Sequence, residues 1–221
     1  MRRLARVNRE GSQLSAIVVT HEHGDHLRGV AACARRFGLP VWMTPGTLHA
    51  AEAQGVGELP QLNLFSCHVP FAIGDIEVQP FPVPHDAREP SQFVFSDGRH
   101  RLGVLTDTGS ATRHIEASLS GCDALVIECN HDRDMLLNGN YPAVLKERVG
   151  GPLGHMDNDS AAALLGRLDT SRLQHLVAAH LSEKNNTPYL ARASLSAAIG
   201  CEDSWVQIAD QEQGLAWRGL A

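Results

Sequence analysis

Short apolar runs alternate with amphipathic stretches along the chain. Residues 16–20, 123–128 and 173–179 are runs of aliphatic and β-branched residues with the length of a strand, whereas residues 27–37 carry apolar side chains at helical spacing. Polar turns such as Gly74-Asp75 separate the runs. Strands that alternate with helices predict an α/β protein.

The same pattern predicts the remaining elements. Further strands are expected at residues 40–43, 62–67, 76–81, 92–96, 101–106, 205–208 and 215–217. Helices are expected at residues 47–54, 111–119, 159–168 and 188–199, and in two pieces within residues 132–149. Because the chain has no repeats, linkers or low-complexity segments, residues 1–221 are expected to form a single domain.

The composition is that of a soluble globular protein. Of the 221 residues, 43% are hydrophobic and 20% are charged. No apolar run approaches the length of a membrane span, and the first residues lack a signal-peptide core, so we expect a cytoplasmic protein. The five cysteines form no CxxC pair, which predicts reduced thiols. Cys129, two residues before His131, is a weak candidate for a metal ligand.

Net charge and histidine content refine this interpretation. A formal charge of −6 gives no general attraction to nucleic acid. It does not exclude a nuclease, because a divalent-metal site with a local basic rim can hold phosphate on an acidic protein. Twelve histidines are many for this length and indicate metal chemistry. Candidate cations for a basic rim are Arg35, Arg36, Lys146 and Arg148.

Three histidines and an aspartate lie within six residues, directly after the strand predicted at 16–20. His21 and His23 alternate and can point the same way from extended backbone, whereas Asp25 and His26 lie where the chain turns into a helix. Imidazole and carboxylate groups are ligands for Zn, Mn or Fe(II). Four such residues at this spacing predict two adjacent metal ions. The alternative is a solvated polar turn.

Three more residues of ligand type each follow a predicted strand. His85 follows the strand at 76–81, Asp107 the strand at 101–106, and His180 the strand at 173–179. Taken singly, each is an ordinary polar strand end. Together, in this order after the first motif, they predict a rim of converging ligands.

The stretch His21-Glu22-His23-Gly24-Asp25-His26 resembles the HxHxDH signature of the metallo-β-lactamase superfamily, and the three later residues match its further ligand motifs. The resemblance implies an αββα metallo-β-lactamase sandwich with two divalent metal ions, Zn or Mn, per chain. The ligands that it implies for the first ion are His21, His23 and His85. Those that it implies for the second ion are Asp25, His26 and His180, with Asp107 as the bridge.

Three later stretches resemble the bacterial YycJ/VicX (WalJ) group of this superfamily. They are Glu-Cys-Asn-His-Asp at 128–132, Gly-His-Met-Asp-Asn at 154–158, and His-Leu-Ser-Glu-Lys-Asn-Asn-Thr-Pro at 180–188. This group is associated with exonuclease action on DNA, and close relatives hydrolyse cyclic phosphodiesters. Residues 180–188 are the most specific part of the resemblance.

The resemblance also implies roles in catalysis and substrate binding. His155 would donate a proton or a hydrogen bond to the leaving oxygen, and Asp25 would orient the attacking hydroxide. A helix-capping role is the alternative for His155. The residues that would contact the phosphate chain are His131, Lys184 and Asn185. For His131 the alternative is a hydrogen bond to a ligand, and for the loop residues it is contact with water alone.

Members of this superfamily begin with additional strands before the HxHxDH motif, whereas only the residues 1–20 precede His21 here. We therefore expect that the first N-terminal strands are absent and that Met1 is internal to a longer reading frame. Their absence would leave an open sheet edge and reduce stability.

The expected activity is hydrolysis of a phosphodiester, with DNA as the favoured substrate. Two metal ions would lower the pKa of a water molecule so that hydroxide is available at neutral pH. One alternative is a cyclic phosphodiesterase that acts on a small sugar phosphate. Two others are a thioester or lactone hydrolase and a truncated, non-catalytic metal-binding protein.

Overall fold

A computed structural model of the chain describes residues 2–221. The chain divides into two compact units. The first unit runs to Pro82 and includes Ala87–Gln92, and the second comprises Val83–Asp86 and Phe93–Ala221. A single domain over the whole chain stays a prediction.

The first unit contains four helices and five strands among the residues described. The helices are α1 (Arg2–Arg6), α2 (Gly24–Leu27), α3 (Val30–Phe37) and α4 (Pro45–Ala53), with a short 3-10 turn at Gly11–Gln13. The strands are β1 (Ile17–Val18), β2 (Val41–Met43), β3 (Leu62–Leu64), β4 (Phe71–Ile73) and β5 (Ile76–Pro82).

Strands β1, β2 and β3 form a parallel sheet in that order, and β4 and β5 form an antiparallel hairpin. Gly74 makes the hairpin turn with a φ of 59°, a conformation that glycine adopts without steric cost. The core of this unit joins the sheet to the helices through buried apolar side chains. These are Val19, Leu27, Val30, Ala34, Val41, Met43 and Ala51.

The second unit contains five helices and, together with β6, five strands. Strand β6 (Ser91–Ser96) begins in the first unit and continues into the second. The other strands are β7 (Arg101–Leu105), β8 (Ala124–Glu128), β9 (His175–Ala179) and β10 (Gln207–Ile208). The helices are α5 (Arg113–Leu119), α6 (Arg133–Asn138), α7 (Ala143–Val149), α8 (Asn158–Leu165) and α9 (Pro188–Ile199).

These strands lie in the order β10-β9-β8-β7-β6, with β6 antiparallel to β7 and all other neighbours parallel. Strands β8 and β9 are buried along almost their whole length, as expected for parallel strands that are covered on both faces. Because β7, β8 and β9 run the same way, their carboxyl ends lie at one edge of the sheet. The residues that follow them are therefore brought together.

Several predicted elements agree closely with the structure. The helix at 188–199 has the predicted bounds, and residues 132–149 form two helices, as expected. The hairpin across Asp97-Gly98 is confirmed by the antiparallel pair β6 and β7. The α/β class is confirmed by the mixture of sheets and helices.

Other predictions were wrong in detail. Residues 215–217 form no strand, and the helix predicted at 27–37 is two helices with Gly29 at the start of the second. The strand predicted at 62–67 ends at Leu64, and β4, the true partner of β5 across Gly74-Asp75, was missed. The longest helix among residues 2–221 has 12 residues, and none is long and apolar enough to cross a membrane.

Candidate metal centre

The first ligand motif directly follows β1 and continues into the short helix α2. His21 is 1% exposed, and the centroids of its ring and the His23 ring are 4.6 Å apart. The His26 ring lies 4.2 Å from that of His21, and His26 Nε2 lies 3.5 Å from Asp25 Oδ2. The structure therefore brings the four residues of this motif together within the first unit.

The Thr20 hydroxyl orients two of these rings. Its Oγ1 lies 3.0 Å from Nδ1 of His21 and 3.0 Å from Nδ1 of His26. A hydroxyl oxygen has two acceptor lone pairs, so it can accept a hydrogen bond from Nδ1–H of both rings. In both rings Nδ1 is engaged, and Nε2 is the atom that would bind a metal ion.

In the second unit, the predicted ligands lie at the carboxyl edge of the parallel strands. Asp107 follows β7 and His180 follows β9. Asp107 Oδ1 lies 3.5 Å from His180 Nδ1 and 3.8 Å from His155 Nδ1. The atoms that Asp107, Glu128, His155 and His180 would offer to a metal ion all lie within 4.8 Å of one another.

Two of these residues have a strained backbone. Asp107 has a φ of 53° and His180 a φ of 57°, and Asn8 is the only other non-glycine residue between 2 and 221 with a positive φ. Such conformations cost about 1–3 kcal/mol and cluster at functional sites. The Asn130 side chain donates a hydrogen bond of 3.0 Å to the His180 carbonyl, which helps to hold this conformation.

Glu128, the last residue of β8, connects the members of this cluster. It is completely buried, and its Oε1 accepts hydrogen bonds from Nδ1 of His180 at 2.7 Å and of His155 at 2.9 Å. Its Oε2 accepts from the backbone N–H groups of Thr108 and Met156, both at 3.1 Å. Burial raises the pKa of Glu128, but the hydrogen bonds from the two histidines outweigh it and lower the pKa.

His85 is held by the loop that precedes α8. Its Nδ1 lies 3.0 Å from the Gly154 carbonyl, which can only accept, so Nδ1 carries the proton. His85 Nε2 is then the atom available for coordination, at 4.0 Å from Asp107 Oδ1. The residue as a whole is 5% exposed.

The donor sets have the chemistry of a divalent metal site. They consist of imidazoles and carboxylates, several of them fixed by hydrogen bonds to the atom that would face away from the metal. Cys129 does not join a candidate metal group among residues 2–221, and burial raises the pKa of its thiol well above the usual range. Cys129 therefore stays a buried neutral thiol.

The three residues predicted to bind substrate have different environments. His131 is 2% exposed, with Nδ1 at 3.3 Å from Asn130 Oδ1, and burial lowers its pKa. Asn185 is 1% exposed, and its carbonyl accepts a hydrogen bond from the Asp132 N–H. Lys184 is exposed, with its Nζ 5.6 Å from the centre of the Tyr141 ring. Only Lys184 is open to solvent.

Most of the stretch 180–188 supports the fold around the cluster. Asn186 donates to the Cys129 carbonyl at 2.8 Å and pairs with the Asn158 side chain. Thr187 caps α9 by accepting from the Leu190 N–H. Asp157 caps the N-terminus of α8, so the capping role considered for His155 belongs to Asp157.

Sequence reasoning missed the role of Glu128. Its position at the end of a buried strand that precedes a polar motif was the available signal, but a strand-end acid alone does not indicate which histidines it contacts. The candidate rim cations also have partners. Arg148 pairs with Asp86 at 2.6 Å, and Lys146 donates to the Leu137 carbonyl.

Comparison with known proteins gives concordant matches. The family model described as "Beta-lactamase superfamily domain" matches residues 1–180. The chain is 38% identical over 190 residues to an exodeoxyribonuclease YycJ of Bacillus anthracis, covering 85% of this chain and 72% of that protein.

Two further matches extend the comparison. An exodeoxyribonuclease WalJ of Streptococcus pneumoniae (strain D39) is 33% identical over 208 residues, or 93% of this chain and 77% of that protein. The crystal structure of the metallo-β-lactamase fold protein YhfI of Bacillus subtilis has a TM-score of 0.71 at 18% identity, covering 94% of this chain and 79% of that one.

Proposed function

Because the chain belongs to the metallo-β-lactamase superfamily and is a hydrolase of that fold, we propose that it cleaves phosphodiester bonds of DNA as a metal-dependent exonuclease. The observation that carries the proposal is the cluster of buried Asp107 and Glu128 with partly exposed His155 and His180. Its ligand-type atoms converge within 4.8 Å, and two of its residues have a strained backbone. The relatives named as exodeoxyribonucleases support DNA as the substrate.

We assign the metal ligands as the resemblance implies. One divalent ion, Zn or Mn, would be held by His21, His23 and His85, and a second by Asp25, His26 and His180, and Asp107 would serve both. When bound, the ions supply a hydroxide at neutral pH and stabilise negative charge at phosphorus.

The chain's own groups then position and protonate the reactants. Glu128 accepts hydrogen bonds from Nδ1 of both His155 and His180. These contacts fix the orientation of each ring and therefore the direction in which its Nε2 points. His155 is about a quarter exposed, so a substrate can reach it, and its Nε2 would donate the proton to the leaving oxygen. Asp25, with 67% of its side chain exposed, would orient the nucleophile.

Of the three candidate substrate-binding residues, only Lys184 is exposed and can contact DNA directly. Lys184 would bind a backbone phosphate as a point charge. Asn185 and His131 are buried. Asn185 would hold the loop that carries Lys184 in place, and His131 would support the residues that face the phosphate.

The test is a product assay on the purified chain loaded with Zn or Mn. We expect mononucleotides from end-labelled linear DNA, no cleavage of closed circular DNA, and no activity after chelation. His49→Ala removes an exposed histidine of α4 that belongs to no candidate metal group among residues 2–221, so it should keep full activity. Hydrolysis of a small cyclic phosphodiester with intact linear DNA would contradict the proposal and favour the cyclic phosphodiesterase alternative.

A further inference from the structure

Glu22 lies between the two predicted ligands His21 and His23, and only 7% of the residue is exposed. Its Oε1 accepts a hydrogen bond from the backbone N–H of Arg88 at 2.7 Å. Its Oε2 is also buried and has no hydrogen-bond partner among the residues that the structure describes. Burying a carboxylate with an unpartnered oxygen costs free energy, so stability alone does not account for an acid at this position.

The main chain of Glu22 is fixed as well. Gln54, the residue that ends helix α4, donates from Nε2 to the Glu22 carbonyl at 3.1 Å. The residue between the two histidines is therefore held at its side chain by one segment and at its carbonyl by another. All of these residues belong to the first unit.

A short segment at residues 88–91, which we call the brace, contacts the ligand motif at two points. Arg88 donates to the Glu22 side chain, and the Ser91 N–H donates to the Thr20 carbonyl at 3.0 Å. Thr20 is the residue whose hydroxyl contacts two of the candidate ligand rings. The brace therefore holds the backbone of the motif on both sides of its first histidine.

The brace is itself fixed to helix α4 through Glu89. Glu89 Oε2 accepts from the Gly46 N–H at 2.6 Å, and the Glu89 carbonyl accepts from the Thr44 hydroxyl at 3.1 Å. Thr44 is fully buried and caps the N-terminus of α4. Because any shift of the brace would break these contacts, the brace is a firm support for the residues that it touches.

We propose that Glu22 is a positioning residue. Through the N–H of Arg88 it holds the backbone between His21 and His23, and it thereby sets how tightly these two residues bind a divalent metal ion. Loss of a contact that orients metal ligands typically weakens metal binding by about 10- to 100-fold. The inference rests on the proposed metal ligands, but it does not depend on DNA as the substrate.

Zinc binding to the purified, initially metal-free chain tests this assignment without any turnover. Glu22→Met keeps the length of the side chain but has no strong acceptor for the Arg88 N–H. We expect it to bind one zinc ion about tenfold more weakly than wild type in competition with a chelating dye. Glu22→Gln keeps an oxygen that can accept the same hydrogen bond, so it should bind zinc like wild type.

Hydrogen exchange of the metal-free chain checks the contact itself. The Arg88 amide should exchange faster in Glu22→Met than in wild type, and Glu22→Gln should restore its protection. The matched control is Asp97, another carboxylate that accepts backbone N–H groups, from Arg99 at 2.9 Å and from His100 at 2.6 Å. Because Asp97 joins no candidate metal group within residues 2–221, Asp97→Met should bind zinc like wild type.

A second variant serves if Glu22→Met does not fold. Gln54 is exposed, so Gln54→Ala leaves the core intact while it removes the hydrogen bond to the Glu22 carbonyl. We expect about threefold weaker zinc binding in this variant, as for the loss of one hydrogen bond.

The assignment is overturned if Glu22→Met binds zinc as tightly as wild type or, where that variant does not fold, if Gln54→Ala does. It is also overturned if Glu22→Gln or Asp97→Met loses as much affinity as Glu22→Met. A wild type that binds no zinc overturns it together with the proposed ligands. Failure of the proposed function gives a different result, because the binding pattern then holds while the metal-loaded wild type releases no nucleotides from DNA.

Discussion

At the scale of single residues, Glu128 connects several members of the cluster in the second unit. Its carboxylate accepts four hydrogen bonds in a fully buried position, two from histidine rings and two from backbone N–H groups. Removing one member of a buried network leaves the others unsatisfied. Glu128 therefore supports both the stability of the unit and the orientation of His155 and His180.

We predict that Glu128→Gln lowers the free energy of unfolding by about 3 kcal/mol, because the new amide group faces N–H donors in a dry site. Urea unfolding of the metal-free protein measures the effect. Glu116→Gln is the matched control, since its single ion pair with Arg167 is partly exposed and is worth about 1 kcal/mol or less. Equal losses in the two variants would contradict the role of Glu128.

His155→Ala should lower turnover about a hundredfold while metal content stays unchanged, because a proton donor contributes about 10²–10⁴-fold. The measurement is kcat on a phosphodiester together with metal analysis. Loss of metal in this variant would instead make His155 a ligand, which its position within 4.8 Å of Asp107, Glu128 and His180 permits.

The sequence was informative about these residues to different degrees. His85, Asp107 and His180 were predictable because each directly follows a strand in a known motif order. Glu128 was not, because its contacts join residues that lie 27 and 52 positions away. Asn185 was expected to contact phosphate or water from an exposed loop, but its backbone carbonyl accepts from the Asp132 N–H and the residue is 1% exposed.

At the scale of elements, the loop at 152–155 packs tightly against the turn after β7. A side chain at Gly109 would place its Cβ within 2.5 Å of the Gly154 nitrogen. The same loop provides the carbonyl that orients His85, and it carries His155. This close approach of two backbones explains why glycine occupies position 109.

We expect Gly109→Ala to reduce kcat about tenfold or more, because displacing a catalytic group by about 1 Å is costly. Steady-state kinetics on a phosphodiester reporter will show it. Gly219→Ala adds a methyl group where nothing lies within 4 Å and serves as the control. Unchanged kcat in Gly109→Ala would mean that the loop moves without effect on the site.

Asp123, at the start of β8, binds several neighbours in the second unit. Its carboxylate accepts from the Arg101 N–H at 2.7 Å and from the Arg172 guanidinium at 3.0 Å. Burial raises the pKa of Asp123, but these hydrogen bonds outweigh it and lower the pKa below its usual range.

A lowered pKa makes this contact acid-sensitive. Because the folded-state pKa lies below the unfolded value of about 3.9, the carboxylate stabilises the fold above that pH, and its contribution is lost as the pH falls through the folded-state pKa. We expect Asp123→Asn to cost about 1–2 kcal/mol at pH 7 and nothing relative to wild type in strong acid. Parallel stability curves for the two proteins between pH 7 and 3 would refute this.

Element types were predictable where periodicity was long, as for α9 and the buried strands β8 and β9. Short edge elements were not. β4 has three residues and is partly exposed, so its apolar pattern is weak. Residues 215–217 have the composition of a strand but form none, because local propensity is easily overridden by tertiary context.

At the scale of the whole molecule, membership of the metallo-β-lactamase superfamily was predictable from the ligand motifs, and the α/β class from the alternation of strands and helices. Their order along the chain is set by the strands that precede them, so a single sequence is enough to recognise it. A cavity in the first unit, lined by residues of α2 and α3 and by the residues that follow α4, could not be predicted. It arises where the ligand turn packs near the end of α4.

The most direct test of a dinuclear site is the metal content per chain of purified wild type and Asp107→Ala, measured alongside turnover of a bis-aryl phosphodiester with added Zn or Mn. We expect two metal ions and turnover in wild type, and loss of both in Asp107→Ala, whose missing carboxylate would be shared by the two ions. A folded wild type that retains no metal and shows no turnover would contradict it, as would full activity in Asp107→Ala.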